Sequence, residues 1–430
     1  MEKINDFQHK SISRFIVDKI KHKRQIYNNK NFIQKNLQII QNDYLDNYHN
    51  NIKKIIETQT LKVITEPTKE IENNQNNLNP NNLKSNNLNP NLQSINLQYA
   101  IDQGIRGKDV VVAVVDSGII YNHPDIEKDR IIFYKDFSGE STQEKPKDIL
   151  GHGTYVTSII GGTGKSSNGY NQGIAPEAKF VILRITSVSE VIKALEWLKE
   201  NGKKYNIKVI NLSIGVDTDP NKSWADDVIA KLANDLAQEY TVVAAAGNDQ
   251  TYETIDSPGV APDVITVGGS DTKNTPSLED DEVYIGSSKG PTPTLEKLPK
   301  PDVIAPSKKI TGARVPGSIL DPFILKSNEN LQKKEETKKE EINWEKGYYI
   351  ESSGTSAGTA IVSGLAALIY QILPTATPQI VKKIITQSTN KLKDPQGQEY
   401  DYYSQGNGVI DIKKALQIAM EIKNQNPNLA

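Results

Sequence analysis

The chain has 430 residues, with 51 basic and 53 acidic side chains, and its formal charge of −2 argues against nucleic-acid binding by the molecule as a whole. It contains no cysteine, which excludes a disulfide framework and fits a reducing compartment. The stretch from Met1 to Lys30 is polar and basic without an apolar signal core, and no apolar run approaches the ~18 residues of a membrane span. A cytoplasmic location is the expectation.

Residues 1–72 are rich in Lys, Asn, Ile and Gln, with patchy apolar spacing that suits one or two helices. Residues 73–91 are dominated by asparagine and repeat NNLNPN at 76–81 and 86–91. Such a stretch offers too little apolar surface to fold and reads as a linker. From residue 92 to 423 the pattern changes. Apolar runs at 110–115, 179–184, 207–214, 240–246 and 263–268 alternate with helical spacing such as 188–200. That alternation predicts an α/β fold, a mainly parallel central sheet flanked by helices, with residues 1–72 as an N-terminal extension.

Three short segments carry chemistry. Asp116-Ser117-Gly118 follows the apolar run Val110–Val115, so a carboxylate emerges where a buried strand ends. His152-Gly153-Thr154 contributes an imidazole; of five histidines only His123 and His152 fall in this part of the chain. His123, in His123-Pro124-Asp125, reads as structural. Ser356 opens a small-residue helical run after Gly354-Thr355, where unpaired N–H groups and the helix dipole favour a developing oxyanion. A serine hydroxyl becomes nucleophilic when an imidazole takes its proton, and a buried carboxylate orients that imidazole.

In the chain order Asp, His, Ser, these segments resemble the subtilisin-like serine peptidases, the subtilase or S8 peptidase family. The resemblance implies a subtilisin-like fold and a serine endopeptidase with Asp116, His152 and Ser356 as catalytic triad. Asn248, in Gly247-Asn248-Asp249 after the run 240–246, matches the oxyanion-hole asparagine. Ser213, Ile214 and Gly215 match the strand that pairs with an extended peptide, with Ala246 and Gly247 across the specificity pocket. Asp125 matches a calcium ligand, its partner loop falling at Ser166–Gly169; catalysis itself requires no cofactor. Two residues depart from the pattern: Ala357 stands where relatives carry Met, and Ala360 where they carry Pro.

Several readings stay open. Asp249, Glu253 and Asp256 either place a carboxylate at the pocket floor, favouring Lys or Arg, or are solvated loop acids. Residues 1–72 have the position of an autoinhibitory propeptide or of a docking region for a substrate or partner. The charged insertion at 325–346 is either a size filter before the active serine or an inert surface loop. Protein or peptide substrates are implied throughout. The rival functions are a peptide-processing transpeptidase or macrocyclase on the same site, and a binding protein on a degenerate protease fold.

Overall fold

The computed structural model describes residues 88–321, 344, 347–426 and 429. The readings placed on residues 1–72, on most of 73–91 and on the insertion at 325–346 lie outside the described residues, Trp344 excepted.

The strands are β1 (Val111–Asp116), β2 (Ile131–Asp136), β3 (Lys179–Arg184), β4 (Ile207–Leu212), β5 (Thr241–Ala245), β6 (Ile265–Asp271), β7 (Glu282–Val283), β8 (Val303–Pro306), β9 (Ile310–Ala313), β10 (Tyr349–Ser352), β11 (Thr389–Asn390) and β12 (Val409–Ile410). One sheet runs in the order β11-β12-β8-β6-β5-β4-β1-β3-β2, with β7 on β6. Its neighbours from β2 to β12 are parallel; only β7 and β11 pair antiparallel. β9 and β10 form a separate antiparallel ribbon.

The helices are α1 (Pro90–Ser94), α2 (Leu97–Asp102), α3 (His152–Gly161), α4 (Val188–Asn201), α5 (Val228–Leu236), α6 (Thr355–Ile372), α7 (Pro378–Gln387), α8 (Tyr402–Gln405) and α9 (Ile412–Gln425). Both sheet faces are covered, which is why the inner strands are apolar without alternation. Val112 and Val114 pack into one core with residues of α3, α6 and α9. Val111, Ala113 and Val115 pack into the other with residues of α4 and α5. In α4 the buried residues Val191, Ala194, Leu195 and Leu198 fall on one helical stripe. Asp227 starts α5 by accepting from the N–H groups of Ile229 and Ala230.

One expectation needs correction. Leu88, Asn89 and Asn91 are buried, not part of a linker. Asn89 caps α1 through the Asn91 N–H (3.0 Å), and its own N–H donates to the Tyr170 carbonyl (3.0 Å), so the second NPN repeat belongs to the fold. Residues 355–372 form an 18-residue helix with mean hydropathy 1.3, long and apolar enough to cross a membrane. Here sixteen of its eighteen residues are buried inside the protein, so it is the central core helix.

Arg184 closes β3 and is only 1% exposed. Its guanidinium pairs with Asp136 (2.8 Å) and Glu140 (3.0 Å), tying the β3 end to the turn after β2. Removing one partner of a buried ion pair strands the other charge. Arg184→Ala is therefore expected to lower stability by about 3–5 kcal/mol, read as a fall in the urea unfolding midpoint.

Candidate active site

Because β1, β4 and β5 lie side by side and parallel, the residues leaving their carboxyl ends share one edge of the sheet. Asp116 is the last residue of β1 and is 2% exposed. Its Oδ1 accepts the Ser117 N–H at 2.7 Å. His152, first residue of α3, brings Nδ1 to 2.8 Å from Asp116 Oδ1 and 3.0 Å from Oδ2. The imidazole is partly open, at 21% exposure. Burial pulls its pKa down, but the charge and hydrogen bond of Asp116, with Asp148 farther off, outweigh burial. The result lies above the ordinary histidine value.

Asp148 is the residue that sequence reading missed. It is buried, and Oδ1 accepts from the Ser117 hydroxyl (2.8 Å) and the Gly151 N–H (2.8 Å). Its Oδ2 accepts from the Thr154 N–H (2.7 Å) and hydroxyl (2.6 Å). Ser117 Oγ in turn accepts the Gly153 N–H at 2.8 Å. One carboxylate thus caps the start of α3 and locks it to the end of β1. The available signal was an acid four residues before His152 with Thr154 two beyond, but the capping position itself is Gly151, so the usual pattern is displaced. Gly153 is needed for contact: a Cβ there would stand 2.2 Å from the Gly118 carbonyl oxygen.

The serine side is a second hydrogen-bonded cluster. Ser356, in the first turn of α6, is half-buried and donates to the Ser213 carbonyl at 3.1 Å. Ser213 Oγ donates back to the Ser356 carbonyl at 3.0 Å. Asn248 Oδ1 accepts from the Thr355 N–H (2.9 Å) and hydroxyl (3.2 Å), leaving the side chain exposed beside the helix start. Beneath them Asn211 Oδ1 accepts from the Ser363 hydroxyl at 2.9 Å, anchoring α6 to β4. Tyr155, on α3, donates its hydroxyl to the carbonyls of Ile310 (2.9 Å) and Ser352 (3.4 Å), tying α3 to the ribbon of β9 and β10. Among the described residues no hydrogen bond links His152 to Ser356.

Gly215 is exposed and Ile214 partly so, in the segment that follows β4. Ala246 is fully buried, its N–H and carbonyl committed to Val267 and Asp256, and so holds the loop rather than offering a surface. Gly247 is also buried, and its carbonyl accepts from the Ser288 N–H. Ala357 and Ala360 are buried in the core beneath the serine, where their small size is accommodated. Glu253, expected near the pocket, turns outward to Lys297 at 2.9 Å.

His123 is structural: Nδ1 accepts the Asp125 N–H (3.0 Å) and Nε2 donates to the Tyr348 carbonyl (2.8 Å). Burial lowers its pKa, matching this neutral form. At Asp125, the residue expected as a calcium ligand, Oδ1 accepts the Ser166 N–H at 2.9 Å and Oδ2 accepts the Tyr349 hydroxyl, so among the described residues the carboxylate ties its loop to β10.

Residues 107–408 match the subtilase family. The chain is 36% identical over 325 residues to serine protease AprX of Bacillus subtilis (strain 168), covering 73% of this chain and 67% of that protein. It is 27% identical to the human membrane-bound transcription factor site-1 protease, over 75% of this chain but only 26% of that protein. Among solved structures, the prenylagaramide maturation protease PagA superposes with a TM-score of 0.53 at 25% identity, covering 75% of this chain and 98% of the other. A psychrophilic protease termed S41 shares the fold, with a TM-score of 0.55 at 21% identity over 71% of this chain and 92% of the other. With a parallel sheet and an Asp–His pair at its edge, the chain belongs to the subtilase family and is a serine-type peptidase.

Proposed function

We propose that the protein is a serine endopeptidase working through Asp116, His152 and Ser356. The observation that carries this reading is His152 Nδ1 held against both oxygens of the buried Asp116 carboxylate. With the Nδ1 proton so engaged, Nε2 keeps its lone pair for a base. The Ser356 proton, donated at rest to the Ser213 carbonyl, swings to Nε2 as Oγ attacks the peptide carbonyl carbon. Free-enzyme hydrogen bonds of this kind commonly tighten only when substrate binds.

The tetrahedral oxyanion is met by the N–H groups at the start of α6 and by Asn248 Nδ2, the donor left when Thr355 occupies Oδ1. Collapse breaks the C–N bond, and His152 passes its proton to the leaving amine. Water then repeats the cycle on the ester, its proton going to His152 and back to Ser356 Oγ. Peptide backbone would lie along the exposed segment at Ile214 and Gly215.

The similarity to the maturation protease PagA supports a second reading. In that reading an amine rather than water resolves the ester on Ser356. Product masses separate the two: hydrolysis adds one water to the summed fragments, whereas ligation or cyclisation does not.

A fluorophosphonate probe should label Ser356 alone, and Ser356→Ala should abolish labelling and peptide cleavage; labelling elsewhere sinks the proposal. Asn248→Ala should reduce kcat by about 10²–10³ with little change in KM, measured on one peptide. The base must be neutral, so kcat/KM should rise with pH through a midpoint above the ordinary histidine value of about 6.5. Asp116→Asn removes the charge that raises it, so the midpoint of its residual activity should fall.

A further inference from the structure

The base and the nucleophile are carried by separate elements, so their spacing rests on whatever holds α3 against the chain leading into α6. That chain is fastened at successive residues. Ser352 closes the ribbon as the register partner of Ile310. Ser353 Oγ then accepts the Lys309 N–H (3.0 Å), and the Gly354 N–H donates to the Ser307 carbonyl (2.8 Å). Ser356 follows in the first turn of α6.

Tyr155 reaches this closing pair from α3. It stands one helical turn after His152 and is only 2% exposed. Its hydroxyl has one proton to give. The Ile310 carbonyl takes it at 2.9 Å, and the Ser352 carbonyl at 3.4 Å is the weaker acceptor. Burial holds the phenol above the ordinary tyrosine value, so it stays a donor. The ring needs the bare backbone of β9: a Cβ on Gly312 would stand 2.5 Å from Tyr155 Cδ2. Ser158, one turn farther along α3, adds a second tie by accepting the Ala313 N–H at 2.7 Å.

Resting on the catalytic reading of Ser356, we infer that Tyr155 is a positioning residue for acyl transfer, its hydroxyl setting the distance between the imidazole on α3 and the nucleophile at the start of α6. Proton transfer from Ser356 to His152 Nε2 needs heavy atoms within about 3.2 Å, and a misplacement of about 1 Å costs on the order of 10²-fold. Asp116 and Asp148 fix the imidazole and its helix start, while Ser213 and Asn248 fix the first turn of α6. Pairing of β1 with β4 places these two clusters side by side. Tyr155 supplies the direct tie, because it rides on the helix of the base and ends on the strand that runs into the nucleophile.

The test uses the full chain, with kcat counted per site titrated by the fluorophosphonate so that unfolded protein does not enter. Tyr155→Phe keeps the ring and removes only the hydroxyl. It should lower kcat and the rate of fluorophosphonate labelling together, by about tenfold or more, with KM within about twofold of wild type. Ser158→Ala loosens the same helix from the same ribbon and should slow both rates by about threefold or more. Tyr370→Phe is the control. It removes another buried hydroxyl, paired with Thr241 at 2.9 Å near the far end of α6, and should leave both rates within about twofold. A purely structural Tyr155 would behave like that control, with a lower unfolding midpoint and folded sites of full speed, and this result would overturn the inference. A raised KM at unchanged kcat would overturn it too, by placing the residue in substrate binding. Should Tyr155→Phe not fold, Ser158→Ala decides, and unchanged rates there would overturn it. Wild-type Ser356 that does not react with the probe would overturn the catalytic reading along with it.

Discussion

A helix that drives sixteen of its eighteen residues through the core must find partners for the polar side chains at its start, and that constraint organises the catalytic face. An orphaned buried donor or acceptor costs about 1–3 kcal/mol, and several polar groups near the start of α6 take partners from the strand ends. Thr355 takes Asn248 and the Gly247 carbonyl, the Ser356 carbonyl takes Ser213 Oγ, and Ser363 takes Asn211. Ser356 and Gln371 are the two residues of α6 that escape burial. Gln371 collects the N–H groups of Arg106, Gly107 and Lys108 at 2.7–3.0 Å, while Ser356 faces the cleft. Packing of the helix thus aims the nucleophile.

The same residue type performs separate tasks here because its partners differ. Asp148 accepts four hydrogen bonds and serves as a helix cap. Asp116 holds an imidazole with both oxygens, which raises the affinity of that ring for a proton. Asp125 accepts an N–H and a phenol and ties its loop to β10. Half-buried Asp217, Asp249 and Asp256 stand together beside the bridge that Val216 and Ser257 form beyond β4 and β5. A carboxylate acts according to the donors that surround it.

The inner strands were legible in the sequence because burial on both faces writes an unbroken apolar run: 110–115 became β1, 179–184 β3, and 240–246 β5. β2 escaped notice because its burial is interrupted along Ile131–Asp136, and β8 because four residues are too few to show a period. α6 was legible as a small-residue helix, but its length was not. Ala, Gly and Ser thin out its hydropathy when read as a line, although the helix as a whole is long and apolar. The NPN repeat at 86–91 looked like linker because asparagine is rarely buried, yet Asn89 and Asn91 are buried and hydrogen-bonded.

By itself the sequence determined the family, the parallel sheet and the residues that can carry acyl transfer, because strand ends, glycines and a helix start leave local marks. Only the tertiary structure decided which groups meet. It brought Asp116 and His152, 36 positions apart, within hydrogen-bond reach and set Asp217 opposite Asp256 across 39 positions. It also sent Glu253 out to Lys297 and gave Asp125 to Tyr349. Such pairings depend on how strands register and how loops close between them, and no local pattern encodes a distance between residues so far apart in the chain.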